Sequence, residues 1–263
     1  MKIMSAFRVL LLVVLFTSVG SVFSDAQTLG SVEVSGRVKI GGKQEKLSRK
    51  RFYLIKGGLK DNIDLVTRLR SAKINSRDCF YTQMQASPQF ICWLQAENCE
   101  SPFCRTVATD DINRVPEFQA SYKKGLTQFK GLTNIAHDWI LTNMPPTLTS
   151  GFFRERRTLT DNLLGTIKPL QSSMTDSVTV KAIFMDVPVA ATESKKTQTY
   201  LISNILPIEF GVKSYLWACE IEVGTEKRAV VNLLVPEPGK TVKNCEVFVN
   251  DLQVCKTESC KAA

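Results

Sequence analysis

The sequence predicts an α+β fold: an antiparallel β-sandwich built from an N-terminal hairpin and C-terminal strands, with a disulfide-stapled helical insertion between them. Three observations lead there. Apolar residues alternate in stretches at both ends of the chain, the period of a half-buried strand. Between these ends they recur at helical spacing, as at Leu59, Ile63, Val66 and Leu69. Eight cysteines, an even set, are spread over the middle and the end. The expected organisation is a signal segment at 1–24, a β-hairpin at 25–58, a cysteine-rich helical region at 59–174 and a β-sandwich region at 175–263.

Residues 1–24 have the form of a secretory signal. Lys2 and Arg8 form a basic end, residues 9–16 are an unbroken apolar run, and Val22 and Ser24 are small enough for the −3 and −1 positions. Cleavage is expected before Asp25 or before Gln27, and an uncleaved anchor is the alternative. Export and eight cysteines together imply an oxidising compartment and four bridges. No later segment is long and apolar enough to span a bilayer. The formal net charge is +9, of which Lys2 and Arg8 account for two, and a basic surface favours anionic neighbours.

Residues 31–40, SVEVSGRVKI, and 52–56, FYLIK, read as two strands joined by the polar, Gly-rich stretch GGKQEKLSRKR. The V-S-G-R-V pattern from Val34 to Val38, followed by a polar turn and a second strand, resembles the opening of carboxypeptidase regulatory-like (transthyretin-like) β-sandwich domains. The resemblance covers about 25 residues and stops after Gly57-Gly58, where this chain turns helical. It implies a sandwich and a non-catalytic role, because such modules accompany enzymes. The hairpin is expected to join the sheets of 177–254, since an isolated two-stranded hairpin is marginal in water.

The helical region opens with the Leu59 to Leu69 stripe. Ser87-Pro88 and Ser101-Pro102 each place an N-cap serine before a proline in the first helical turn, giving helices near 79–86, 88–97 and 102–108. Phe118, Tyr122, Leu126 and Phe129 form the stripe of a longer helix. Thr133 starts another, stopped by Pro145-Pro146, and 151–167 holds one or two more. Cys79, Cys92, Cys99 and Cys104 lack the two-residue gap of a zinc knuckle or thioredoxin-like motif, so they read as structural. Antiparallel helices would pair Cys79 with Cys99 and leave Cys92 for Cys104.

After a polar connector at 169–176, alternation returns. Trp217, Cys219, Ile221 and Val223 share one strand face, and Cys245, Val247 and Val249 another. Two inward cysteines predict a bridge between Cys219 and Cys245, with Cys255 closing a short loop with Cys260.

Candidate chemistry is sparse. The single histidine, His137, is the only base available to a triad. Its neighbour Asp138 is adjacent on a helix, where successive residues do not face one another, and no G-x-S-x-G elbow supplies a serine. Glu220 and Glu222 share a strand face and could act as paired carboxylates, but water is the expected neighbour of both. Zinc enzymes of the usual kind use two or three histidines, and no Gly-rich loop opens a helix to cradle a phosphate; no metal or other cofactor is expected. Two basic clusters carry aromatics: Lys46, Arg49, Lys50 and Arg51 before Phe52-Tyr53, and Arg154, Arg156 and Arg157 after Phe152-Phe153. They read as solvated faces or as sites for an anionic cell-envelope polymer or another protein; nucleic acid is not expected outside the cell. The expected function is a secreted or periplasmic, non-enzymatic binding or structural protein. The alternative is a secreted hydrolase using His137 or the Glu220/Glu222 pair.

Overall fold

Alternation at the start of the chain produces β1 (Thr28–Ser35), with Val32 and Val34 fully buried. The structure is a computed structural model; it describes residues 28–97, 99–189, 197–237, 240–252, 255 and 260. The expected signal segment lies outside these residues. After Gly36 the chain forms a small hairpin, β2 (Arg37–Ile40) and β3 (Lys43–Lys46). Its two-residue turn is Gly41-Gly42, with φ of 55° and 85°. Consecutive positive φ values match the strand twist of a tight hairpin, and glycine adopts them without steric cost. β4 (Arg51–Lys56) follows.

β1 and β4 do not pair with each other, which corrects the expected hairpin. The tight glycine turn folds 37–46 on itself, and the chain crosses from one sheet to the other. β1 lies between β10 (Ala229–Asn232) and β6 (Lys181–Val189) in a three-stranded sheet. β4 lies between β5 (Gln171–Met174) and β7 (Thr197–Ser203) in the larger sheet, which continues through β9 (Lys213–Gly224) to β11 (Cys245–Asp251). β8 (Ile208–Phe210) pairs with β9. Both N-terminal strands thus join C-terminal ones, as the need for edge partners requires. All these pairings are antiparallel except β1 with β10. The two sheets enclose one core that includes Val32, Val34, Phe52, Leu54, Phe184, Tyr200, Ile202, Trp217 and Val231.

The insertion between β4 and β5 is helical: α1 (Ile63–Ser71), α2 (Arg77–Gln83), α3 (Pro88–Ala96), a 3-10 turn (Pro102–Cys104), α4 (Thr109–Arg114), α5 (Pro116–Gln128), α6 (Thr133–Asp138), α7 (Ile140–Asn143), α8 (Pro146–Thr149) and α9 (Gly151–Leu164). Ser87 accepts the Phe90 N–H at 3.1 Å and caps α3, with Pro88 in its first turn. Ser76 caps α2 through the Cys79 N–H. The helix expected at 102–108 is only the single 3-10 turn. Phe80, Tyr81, Phe90, Trp93, Phe118 and Phe152 form this region's own aromatic core. No helix of the described residues is long and apolar enough to cross a membrane.

Four disulfides link the eight cysteines. Cys219 pairs with Cys245 across neighbouring strands, as alternation predicted; the two are directly opposite in the β9–β11 register. The other expected pairings are corrected. Cys79 joins Cys255, Cys92 joins Cys260, and Cys99 joins Cys104. The reason is where β11 ends. Asp251 pairs with Lys213, and the Leu252 N–H donates to the Val212 carbonyl at 2.9 Å. Close by on β8, Glu209 accepts the Arg77 N–H at 2.9 Å, holding the start of α2. The tail therefore leaves the sheet where α2 docks, and Cys79 and Cys92 meet it rather than Cys99 and Cys104.

Non-reducing peptide mapping should recover fragments joining Cys79 to Cys255 and Cys92 to Cys260. Replacing Cys79 and Cys255 together with serine should lower unfolding free energy by about 2–5 kcal/mol, read from denaturant curves; an unchanged midpoint would contradict the linkage.

Candidate functional site

The helices cover only part of the larger sheet's outer face. Leu65, Leu69 and Leu164 of α1 and α9 pack onto Ile55, Leu201, Leu216 and Ala218 at its middle. The β4–β5 end is left largely open, with Tyr53 half-buried against that cluster and Arg51, Ser172 and Met174 exposed. There Arg51 sits opposite Met174, and Tyr53 opposite Ser172, so alternation places all four on the same face. Helix α9 walls this open end on one side, and Asn204, Leu206, Pro207, Ile208 and Glu209 line the cleft with it. The resulting cleft has a volume of about 820 Å³.

Helical spacing decides what α9 contributes. Phe152, Arg156, Thr160 and Leu164 recur every four residues, as do Phe153, Arg157 and Asp161 one position on; all seven line the cleft. Phe152 and Leu164 are buried, and the Arg156 guanidinium lies 4.6 Å from the centre of the Phe152 ring. Phe153 and Arg157 are exposed.

A buried threonine positions the opposite lip. Thr175 accepts the Lys50 N–H through its hydroxyl at 2.9 Å, donates that hydroxyl to the Leu47 carbonyl, and accepts the Arg49 N–H on its own carbonyl at 3.0 Å. These bonds fix the turn that presents Arg49, Lys50 and Arg51. Arg49 is held at φ 57°, a left-handed conformation that non-glycine residues adopt only when their surroundings impose it.

The charges sort into paired and free. Lys50 is bonded to Glu100, Arg156 to Glu209 at 3.2 Å, and Arg77 to Asp78 at 2.8 Å. Burial pushes the Glu209 carboxyl above its ordinary value, partly offset by Arg156 and the Arg77 N–H. The other three cations have no carboxylate partner among the described residues. Arg49 donates to the Cys104 carbonyl at 3.4 Å, Arg51 to the Ser172 hydroxyl at 3.1 Å, and Arg157 makes no ion pair. Asp161 is the unpaired anion of the cleft. Beside these groups lie exposed apolar side chains: Phe153 at 48%, Leu170 at 43% and Met174 at 46%.

Of the cations singled out in the sequence, Arg49, Lys50, Arg51, Arg156 and Arg157 line this cleft. Lys46, on the exposed β3, and Arg154, reaching back to Ser150 at 3.5 Å, do not. His137 lines a separate recess of about 410 Å³ with Arg49, Cys104 and Arg105. It faces Asp138 at 3.6 Å, contrary to the expectation for helix neighbours; the pair ends α6, and the exposed Asp138 side chain is free to reach it. The recess contains no serine, and its cysteine is bridged to Cys99. Glu220 does not simply face water: it accepts the Leu59 N–H at 2.8 Å and anchors the entry to α1. Glu222 is exposed. Among the described residues no three His, Cys, Asp or Glu side chains gather as metal ligands.

The stretch 169–174, expected as a polar connector, supplies one cleft wall as β5. Its only sequence signal is the short alternation of Leu170, Ser172 and Met174. Arg77 and Glu209 carried no sequence signal. Fold and cleft together define an α+β sandwich protein with a helical insertion and a concave, cationic site. No family model, curated protein or solved structure matches the chain.

Replacing Thr175 with valine removes the hydroxyl and orphans the Lys50 N–H and Leu47 carbonyl. It should cost about 1–3 kcal/mol in chemical denaturation. For Glu209, the raised value means the folded chain holds its proton more tightly than the unfolded chain. Its contribution to stability is greatest below pH 4.5 and is lost as pH rises through the raised value. Melting temperatures across this range should fall more for the wild type than for Glu209→Gln; parallel curves would contradict the shift.

Proposed function

We propose that the protein is an exported, non-enzymatic binding protein, acting in the periplasm or outside the cell, whose cleft holds an anionic partner. One observation carries this reading. Arg49, Arg51 and Arg157, drawn from segments about a hundred residues apart, converge on one concavity with no carboxylate partner among the described residues. Guanidinium groups bind carboxylate and phosphate in bidentate fashion, and structural pairing has already consumed the other cleft cations.

Export is supported by the signal-like amino terminus and by four disulfides, which persist in oxidising compartments. A binding role fits the position of His137, whose recess offers only the Thr106 hydroxyl and a cysteine locked in a disulfide, and that of Glu220, engaged by a backbone N–H. It also fits the resemblance of 31–56 to modules that accompany enzymes.

Calorimetric titration with heparin, poly-glutamate and dodecanoate tests the reading. The triple variant Arg49→Glu, Arg51→Glu, Arg157→Glu should lose at least about tenfold in affinity for one or more of these. A control with the same charge change outside the cleft, Lys46→Glu, Arg154→Glu, Lys240→Glu, should lose much less. Equal losses in both variants, or binding of none of the three, would overturn it.

A further inference from the structure

We infer that the cleft takes a single-chain amphiphilic anion: an apolar chain ending in a carboxylate or phosphate. This rests on the anion-binding reading above and names the ligand class for the same site.

Two properties of the cleft select it. The first is the separation of roles among its residues. Arg51 and Arg157 are exposed cations, and Arg49 beside them is spent only on a neutral carbonyl at 3.4 Å. A head group can displace that weak contact and the 3.1 Å bond from Arg51 to the Ser172 hydroxyl. Ser172 and Tyr53, on the same face, offer further hydroxyl donors.

The second property is apolar. Phe153, Leu170 and Met174 are each between two-fifths and about half exposed, and Pro169, Leu206 and Pro207 add to the apolar lining. A hydrophilic polyanion would leave this surface wet or bury it against polar groups. An alkyl chain would remove it from water with gain. A cleft of about 820 Å³ is also in the range of small-molecule sites, roughly 300–1,000 Å³, whereas a polymer would be tracked by cations along an open groove. Asp161, at the same wall, disfavours a second anionic group on the ligand and so selects a single charged end.

Calorimetric titration of the full disulfide-bonded protein below the micelle concentration is the test, with dodecanoate, dodecyl phosphate, dodecyltrimethylammonium, acetate, inorganic phosphate and heparin as probes. The two anionic chains should bind with one site per protein. The cationic chain and the two small anions should bind at least about tenfold more weakly. Arg51→Gln with Arg157→Gln should weaken both anionic chains. Phe153→Ser with Leu170→Ser should weaken the chains and leave heparin unaffected. All four positions are exposed or half-exposed, and unchanged melting temperatures certify the variants. The tighter of dodecanoate and dodecyl phosphate identifies the head group. If acetate or phosphate binds as tightly as the chains, or if heparin alone shows cleft-dependent binding, the ligand class is overturned while anion binding stands. If the cationic chain binds as well as dodecanoate, the amphiphilic anion is overturned as the ligand. If no probe responds to the cleft variants, both readings fall.

Discussion

Every residue of 214–219 on β9 is buried, because this strand is covered on both faces. Tyr215, Trp217 and Cys219 point into the sandwich, and Leu216 and Ala218 meet the helices. Asn204 locks the strand in place: its side-chain carbonyl accepts the Trp217 N–H at 2.8 Å, and its amide donates to the Leu206 and Tyr215 carbonyls. β7, β8 and β11 pair with β9, and the three-stranded sheet and the helical layer pack on its two sides. The cleft is a by-product of this arrangement. Helices that cover the sheet around β9 run out before the β4–β5 edge, leaving a floor of strand residues beside a helical wall.

Local rules made much of this legible. Alternation around Trp217 identified the inward face of β9 and hence the Cys219 to Cys245 bridge, since both residues lie on facing positions of adjacent strands. Serine-proline pairs located the start of α3 and the 3-10 turn. What escaped was set by long-range geometry. Pairing Cys79 with Cys255 requires knowing that β11 ends beside the turn that precedes β9, and no local pattern encodes that. Sending β1 and β4 to different sheets depends on the Gly41-Gly42 turn closing a hairpin inside what looked like a linker. β5 was missed because the alternation of Leu170, Ser172 and Met174 is too short, and too polar, to read as a strand without its partner β4.

The cleft shows the same division. The basic clusters were visible as composition, but composition cannot say which cations are neutralised. Lys50 and Arg156 look like Arg51 and Arg157 in the sequence; only the fold supplies Glu100 and Glu209 to the first two. Removing two of the five cleft-lining cations of these clusters from solvent competition leaves a smaller, directional set of charges. Arg49 stands where the main cleft and the His137 recess share a wall, and its left-handed backbone keeps it there.

The disulfide linking Cys79 to Cys255 closes a span of 176 residues and skips Cys92, Cys99 and Cys104. A chain oxidised in the order it emerges would meet those nearer partners first. β1 likewise awaits β10, and β4 awaits β7, so neither sheet can close until the last third of the chain is present. Such non-local closure makes assembly slow, and early mispaired thiols must be exchanged before the tail can lock onto α2 and α3. The order of the cysteines thus makes thiol exchange, and not chain collapse alone, a step on the route to the native bridges.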